Sequence, residues 1–400
     1  MSPSLLAPYK LHPIVRTTVH DVVPDDMICI HGKYYAAKDI DHPGGKAFIA
    51  ASRGTDATLL FESSHLNIDA AKMLLERLPI RGNGPKNPTN FDSYARLRKT
   101  AFTRYPSRQS RAATRETLQK FNIWFFLTVT SYAMLLYTEP FTVLWILCCV
   151  ASAVTSTVLG GMGHNFLHRL DIRAAALDWN GLSSFEWLLE HIVSHHPHPN
   201  TTKDHDSISM LPFVRWLPSE SNKATWEKIL NDMLLLLIFF VGEIAVAIQG
   251  NLGHRCRWNL PHEMPRWMAF APWLFVFRLV GILVTHGLYG IVTILFSLSI
   301  ASFYFSFLAH LNHCVGAAQE TNDFVQQQLC NTIDLPSFGP YDLGLDRQTL
   351  HHLFPTLDHS RIDKFFRDSI CLEFNKTSKK YFEAPQIREL TRTMFHRVNS

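Results

Sequence analysis

The residues in this chain best suited to chemistry are its 21 histidines, and most of them gather at a few places. His42 stands in the tetrapeptide His42-Pro43-Gly44-Gly45, and His65 follows 23 positions later at the end of Phe61-Glu62-Ser63-Ser64-His65. Two imidazoles that meet a planar metal cofactor from opposite faces fill both axial positions, which leaves none for oxygen and suits one-electron transfer. Further along, Gly163-His164-Asn165-Phe166-Leu167-His168 forms an HxxxH pair. His191-Ile192-Val193-Ser194-His195-His196-Pro197 forms an HxxxHH cluster, and Gln348-Thr349-Leu350-His351-His352 a QxxHH cluster. His310 and His313 lie between the second and third clusters. Positions four apart on an α-helix differ by about 40°, so an HxxxH pair projects both imidazoles from one face toward a shared ion. Imidazole suits iron, zinc and copper, and this many ligands exceed what one catalytic zinc needs; they suffice for two metals with open positions.

The elements that must position these rings are mostly apolar. Of 400 residues, 47% are hydrophobic and only 18% charged, and the charges are dense up to Lys120 and again after Asp342. Long apolar runs fill 121–137, 141–162, 229–249, 267–285 and 287–309. A helix of roughly 20 apolar residues crosses a bilayer, so this reads as a membrane protein with cytosolic ends. Glu139-Pro140 makes the first two runs a hairpin. If all five runs crossed, the histidines after Ala309 would face the opposite side from His164, so one run must not cross. The 229–249 run holds Asn231, Asp232 and Glu243 and precedes Arg255, Arg257 and Arg266; it is assigned to the interface, with 267–285 and 287–309 as the second hairpin. Arg278 is costly in such a run unless buried or paired. The alternative passes the Glu243 run through and lays the Arg278 run on the lumenal surface. Both give four crossings.

The seven cysteines show neither CxxC nor zinc-like spacing, which implies no disulfide framework and fits a reducing compartment. The N-terminus has no long apolar leader and no myristoylation glycine, so membrane entry is expected through an internal span. A net charge of +4 with no basic-aromatic pattern argues against nucleic acid. The local basic excess is Arg96, Arg98, Lys99, Arg104, Arg108, Arg111, Arg115 and Lys120 against Glu116 alone. By the positive-inside rule it holds this segment in the cytosol, near anionic headgroups or as an ordinary solvated helix. Arg81 to Pro88 reads as a turn-rich linker before it.

From Arg16 to Leu78 the chain resembles cytochrome b5, on the HPGG motif, the second histidine and Met27 to Tyr35, which alternates apolar and polar residues as a strand would. The resemblance implies His42 and His65 as axial ligands of haem b. The order HxxxH, HxxxHH, QxxHH, with Leu353-Phe354-Pro355 after it, resembles the membrane fatty-acid desaturases, in particular the front-end group with a fused haem domain, and also insect cytochrome b5-related proteins. The expected architecture is an α+β cytochrome b5-like haem domain (1–80), a basic linker (81–120) and an all-α membrane desaturase domain (121–400) of four transmembrane helices in two hairpins with a cytosolic cap.

That resemblance implies two non-haem irons held by His164, His168, His191, His195, His196, His351 and His352, with Gln348 at or near the site and one further ligand, His310 or His313. In an ideal α-helix the second cluster puts His196 about 140° from His191, so the chain is expected to turn before Pro197, which disfavours helical geometry in the residue preceding it. His198, His205, His254, His262, His286 and His359 are expected on loops or as hydrogen-bond partners rather than as ligands, and Trp179, Trp187 and Trp216 at the lipid interface. The implied activity is an oxygen-dependent lipid desaturase of the endoplasmic reticulum, fed by an NADH-cytochrome b5 reductase through its own haem. A lipid hydroxylase on the same scaffold, and a haem electron-transfer or lipid-binding protein with a decayed metal site, are the alternatives.

Overall fold

A computed structural model describes residues 23–208, 214, 216, 224–252, 262–314, 321–373 and 384–399. Arg16, where the cytochrome resemblance begins, and His254, Arg255 and Arg257 lie outside the described residues. The expected single strand is a hairpin instead. β1 (Met27–Ile30) and β2 (Lys33–Ala36) pair antiparallel with Ile30 opposite Lys33. Between them His31 and Gly32 both adopt positive φ, 51° and 70°. Two successive left-handed residues make the tight turn whose twist matches a hairpin. β3 (Ile80–Asn83) adds antiparallel to β2, so Arg81 to Asn83, read as linker, closes a three-stranded sheet. Three short helices, α1 (Ala47–Ala51), α2 (Thr58–Ser64) and α3 (Ile68–Leu75), complete this unit. Ile28, Ile30, Tyr35, Ala37 and Ala57 form its core.

α4 (Asp92–Arg104) and α5 (Arg108–Arg111) then lead into the helical bundle. The basic α4 is not simply a solvated helix: Tyr94, Leu97, Arg98 and Ala101 on one face are buried. Arg98 reaches the carboxylate of Glu62 at 2.5 Å. α6 (Arg115–Leu136) and α7 (Val143–Leu167) form an antiparallel pair, each opened by a threonine cap, Thr114 and Thr142. After the small helices α8 (Ala176–Trp179), α9 (Ser184–Trp187) and α10 (His205–Ile208) come α11 (Thr225–Leu252), α12 (Arg266–Phe270), α13 (Pro272–His286) and α14 (Tyr289–Leu311). Gly287, at φ 57°, turns α13 into α14. α15 (Phe324–Asn331), α16 (Gln348–Leu353), α17 (Lys364–Glu373) and α18 (Ile387–Asn399) cap the bundle at its histidine-bearing end.

Four described helical stretches are long and apolar enough to cross a membrane: Val143–Leu167, Thr225–Ile248, Arg266–His286 and Tyr289–Leu311. The 229–249 run, assigned above to the interface, is among them by length and composition. α11 stands lengthwise against α14, with the Phe239 ring 5.3 Å from His310, Phe240 4.8 Å from Phe303, and the Glu243 N–H donating to Ser302 Oγ at 3.0 Å. The chain is back at the histidine end by Glu263, which pairs with Arg53 of the N-terminal unit at 2.6 Å. The first run, in α6, is less apolar than these four, yet it packs along α7 and presents Phe125 and Phe126 outward. Arg278 is tolerated because it is buried, donating to the Trp179 carbonyl at 3.2 Å and to Asn180 Oδ1 at 3.1 Å.

The N-terminal unit packs on the histidine end of the bundle. Ala47, Ala50 and Leu60 share one apolar cluster with Phe166, Leu167 and Met268. Leu59 and Leu66 share another with Tyr94, Phe324 and Leu353.

Candidate metal centres

In the N-terminal unit, His65 directly follows α2, and His42 precedes the glycine pair. Their Nε2 atoms face each other at 3.4 Å with ring centroids 5.7 Å apart. The His65 Nδ1 hydrogen-bonds to the Phe61 carbonyl at 2.8 Å, which fixes the tautomer that leaves Nε2 as a free acceptor. Burial lowers the pKa of both rings, keeping them neutral as ligands must be. A Cβ on Gly44 would come within 2.8 Å of His42 Cε1, so the glycine is needed for the His42 ring to fold back. Two metal–imidazole bonds of about 2 Å each fit this opposed pair with little opening.

At the mouth of the bundle the three clusters converge. His164, His168, His191, His196 and His351 offer ligand atoms that all lie within 4.8 Å of one another, and His195, His313 and His352 form a second such group. Within the first group, Nε2 to Nε2 distances are 2.8 Å for His164 and His191, 3.1 Å for His191 and His196, and 3.3 Å for His164 and His168. In the second, His195 and His313 stand at 3.1 Å. Ligands at about 2.1 Å from one ion sit about 3.0 Å apart in octahedral and about 3.4 Å apart in tetrahedral geometry, so the spacings are those of a coordination shell. The Nε2 atoms of His351 and His352 are buried with no hydrogen-bond partner. Such orphaned acceptors are costly unless something is bound there, and a donor set of clustered imidazoles fits iron.

The second cluster is the chief local surprise. Leu188–His195 is a π-helix, and the His196 N–H donates to the His191 carbonyl at 2.9 Å. The expected break before Pro197 is absent, since His196 keeps helical angles, φ −54° and ψ −44°. A wider turn closed by i→i+5 bonds brings residues five apart onto one face, which is how HxxxHH presents all three rings. π-bulges of this kind mark functional sites.

Five of the rings are oriented from behind, as metal-binding imidazoles usually are. Nδ1 of His195 hydrogen-bonds Asp204 Oδ1 at 3.0 Å, and that of His191 meets Asp206 Oδ2 at 3.1 Å. Nδ1 of His352 faces Gln328 Oε1 at 3.1 Å, and that of His313 the Asn331 carbonyl at 2.9 Å. His359 Nε2 lies 3.1 Å from His351 Nδ1. Burial alone would lower the pKa of His195, but the carboxylates of Asp204 and Asp206 outweigh it and raise it. Asp358 accepts from Asn165 Nδ2 at 2.9 Å and pairs with Arg169, tying the end of α7 to the loop after α16.

Between the two open alternatives, His313 enters a cluster and His310 does not. His310 Nδ1 hydrogen-bonds the Ser306 carbonyl, and its ring packs against Trp216 at 5.0 Å. Gln348 Nε2 lies 3.4 Å from His313 Nε2, at the edge of the second group. His286 sits at the far end of the bundle, hydrogen-bonded to Thr293, and His262 is exposed. Two tryptophans depart from the interfacial expectation. Trp187 stacks on His191 at 4.7 Å, and Trp216 is buried, donating to Asn200 Oδ1 at 3.0 Å. The sequence reading missed Asp204, Asp206 and Gln328. The acids flanking His205 directly after the second cluster were the available signal.

Residues 140–374 match the family model described as fatty acid desaturase. The chain belongs to the fatty acid desaturase family. Among similar proteins, a "Cytochrome b5-related protein" of Drosophila melanogaster is 26% identical over 81% of this chain and 77% of its own length. An "Acyl-lipid (7-3)-desaturase" of Diacronema lutheri is 24% identical over 84% of this chain and 81% of its own. An "Acyl-lipid (8-3)-desaturase B" of Dictyostelium discoideum is 26% identical over 48% of this chain and 44% of its own. No solved structure matches the chain.

Proposed function

We propose that the protein is a membrane acyl-lipid desaturase that inserts a double bond into a fatty-acyl chain, using O2 and electrons from its own haem domain. The observation that carries this is the pair of imidazole groups, five rings and three, meeting at one end of an apolar bundle. His164, His168, His191, His196 and His351 would hold one non-haem iron, and His195, His313 and His352 the other, with Gln348 beside the second. His42 and His65 would hold haem b. Bound iron supplies the oxidant strong enough to remove two hydrogens from adjacent unactivated carbons, with water as co-product.

The chain's own residues supply the rest. Asp204, Asp206, Gln328 and the Asn331 carbonyl hold the Nδ1 protons of His195, His191, His352 and His313, so that these four Nε2 lone pairs point inward. The apolar walls of the helices would seat the acyl chain and keep water out. Fusion of the haem domain makes electron delivery intramolecular, at high effective concentration. An NADH-dependent cytochrome b5 reductase would reload it. The basic α4 and α5 favour a cytosolic position for both histidine sites, in the membrane of the endoplasmic reticulum. Expression in cells lacking polyunsaturated lipids, followed by lipid profiling, tests the reading. A new double bond supports it, an alcohol product would assign hydroxylation instead, and unaltered lipids from folded, iron-loaded protein would contradict both.

A further inference from the structure

The two histidine sites are joined by one side chain. Tyr94, on α4, is fully buried. Its hydroxyl donates to the Leu353 carbonyl at 2.8 Å and lies 3.2 Å from the Ser63 carbonyl. Ser63 is two residues before His65, and Leu353 immediately follows His352. Both carbonyls belong to the last turn of a short helix, α2 on one side and α16 on the other. The last carbonyls of a helix have no partner within it. Tyr94 therefore caps the two histidine-bearing ends with a single hydroxyl. Its ring is clamped by Phe324, at 4.9 Å, and by Phe354, at 5.8 Å. One turn later on the same face, Arg98 donates to the Glu62 carbonyl at 3.1 Å, gripping the same end of α2. Burial raises the phenol's pKa, so the hydroxyl keeps its proton and remains a donor.

We infer that Tyr94 is a positioning residue for electron transfer, holding the backbone beside His65 against the backbone beside His352 through its hydroxyl. This rests on the function proposed above. Haem held by His42 and His65 would pass one electron at a time to iron held by the clusters, the donor going from ferrous to ferric as the acceptor goes from ferric to ferrous. Tyr94 is neither oxidised nor deprotonated. Without the hydroxyl the two carbonyls lose their shared donor. If passage requires the joined geometry, losing one buried hydrogen bond lowers the rate by about tenfold.

The test uses full-length, haem- and iron-loaded protein in lipid nanodiscs, reduced anaerobically and then mixed with O2 and an acyl lipid, with haem re-oxidation followed by absorbance. Tyr94→Phe should re-oxidise about tenfold more slowly than wild type, with haem spectrum, midpoint potential and iron content unchanged. Amide exchange at Ser64 to Leu66 and at Phe354 should rise together. An unchanged re-oxidation rate in the variant would overturn the inference while leaving the desaturase reading standing. Wild-type haem that does not re-oxidise faster with non-haem iron than without it would remove that reading, and this inference with it. Should the phenylalanine variant lose haem or iron, 4-aminophenylalanine at position 94 restores a donor. A wild-type rate there supports the bridge, and a rate still about tenfold low would refute it.

Discussion

Replacing Asp204 by alanine should weaken iron binding at a site its carboxylate never touches. Asp204 is fully buried; Oδ1 accepts from His195 Nδ1 and from the Asp206 N–H, each at 3.0 Å, while Oδ2 accepts from the Asn200 N–H and Ser207 Oγ, each at 2.7 Å. The loop is thereby locked and the His195 proton held on Nδ1, with Nε2 aimed at His313. Removing such an orienting partner typically lowers metal affinity by about 10- to 100-fold, or about 1.4 to 2.7 kcal/mol. Asp204→Asn keeps the shape but offers His195 an amide that can either accept or donate, so it should fall between alanine and wild type. Ser207→Ala removes one bond to Oδ2 and leaves the His195 contact, and should lose least. Chelator competition with iron quantified by mass spectrometry reads the affinity, circular dichroism confirms the fold, and the haem band serves as internal control. Wild-type affinity in a folded Asp204→Ala protein would refute the claim that this carboxylate orients a ligand.

His42→Ala or His65→Ala should abolish the haem absorbance and leave the non-haem iron in place, whereas His352→Ala should do the reverse, as metal analysis beside the visible spectrum would record. Arg98→Ala strips the closest partner from Glu62, which is 2% exposed, and should lower stability by about 3 kcal/mol, read as an earlier thermal loss of the haem band. Burial pushes the Glu62 carboxyl up, but bonds from His31 and Arg98 and the charges of Arg98 and Lys72 outweigh it and bring it to about 2. Its stabilising contribution is therefore complete above the usual carboxylate range and is lost as pH falls from about 4.5 toward about 2; acid titration of haem release should show it, and Glu62→Gln should flatten that part of the curve. Gly181 sits at φ 90° with a would-be Cβ 2.6 Å from that of Ala247, so Gly181→Ala should cost about 1 to 3 kcal/mol in a detergent melt.

What the sequence discloses are features fixed by residue type and short spacing. The opposed pair His42 and His65, the three histidine clusters and the apolar helices are of this kind. Geometry that depends on a local departure from ideal structure is hidden. An α-helical reading of His191 to His196 separates rings that the π-helix brings to one face. His310 and His313 are equivalent by spacing alone, and only the fold, which turns one toward Trp216 and the other toward His195, separates them. The Glu243 run looked too polar to stand upright, yet it packs along α14, where Ser302, far along the chain, accepts the Glu243 N–H. Charge was equally misleading in α4, where Arg98 counted as a solvated cation but is buried against Glu62. Tyr94 carried no signal at all, since its role depends on two carbonyls some distance away in sequence.

The most direct test is the metal content of purified full-length protein. One haem and two non-haem irons per chain, the latter lost when His195, His313 and His352 are replaced together with His164 and His168, is the predicted result. Folded protein that binds haem alone, even after iron loading under reducing conditions, would contradict the account.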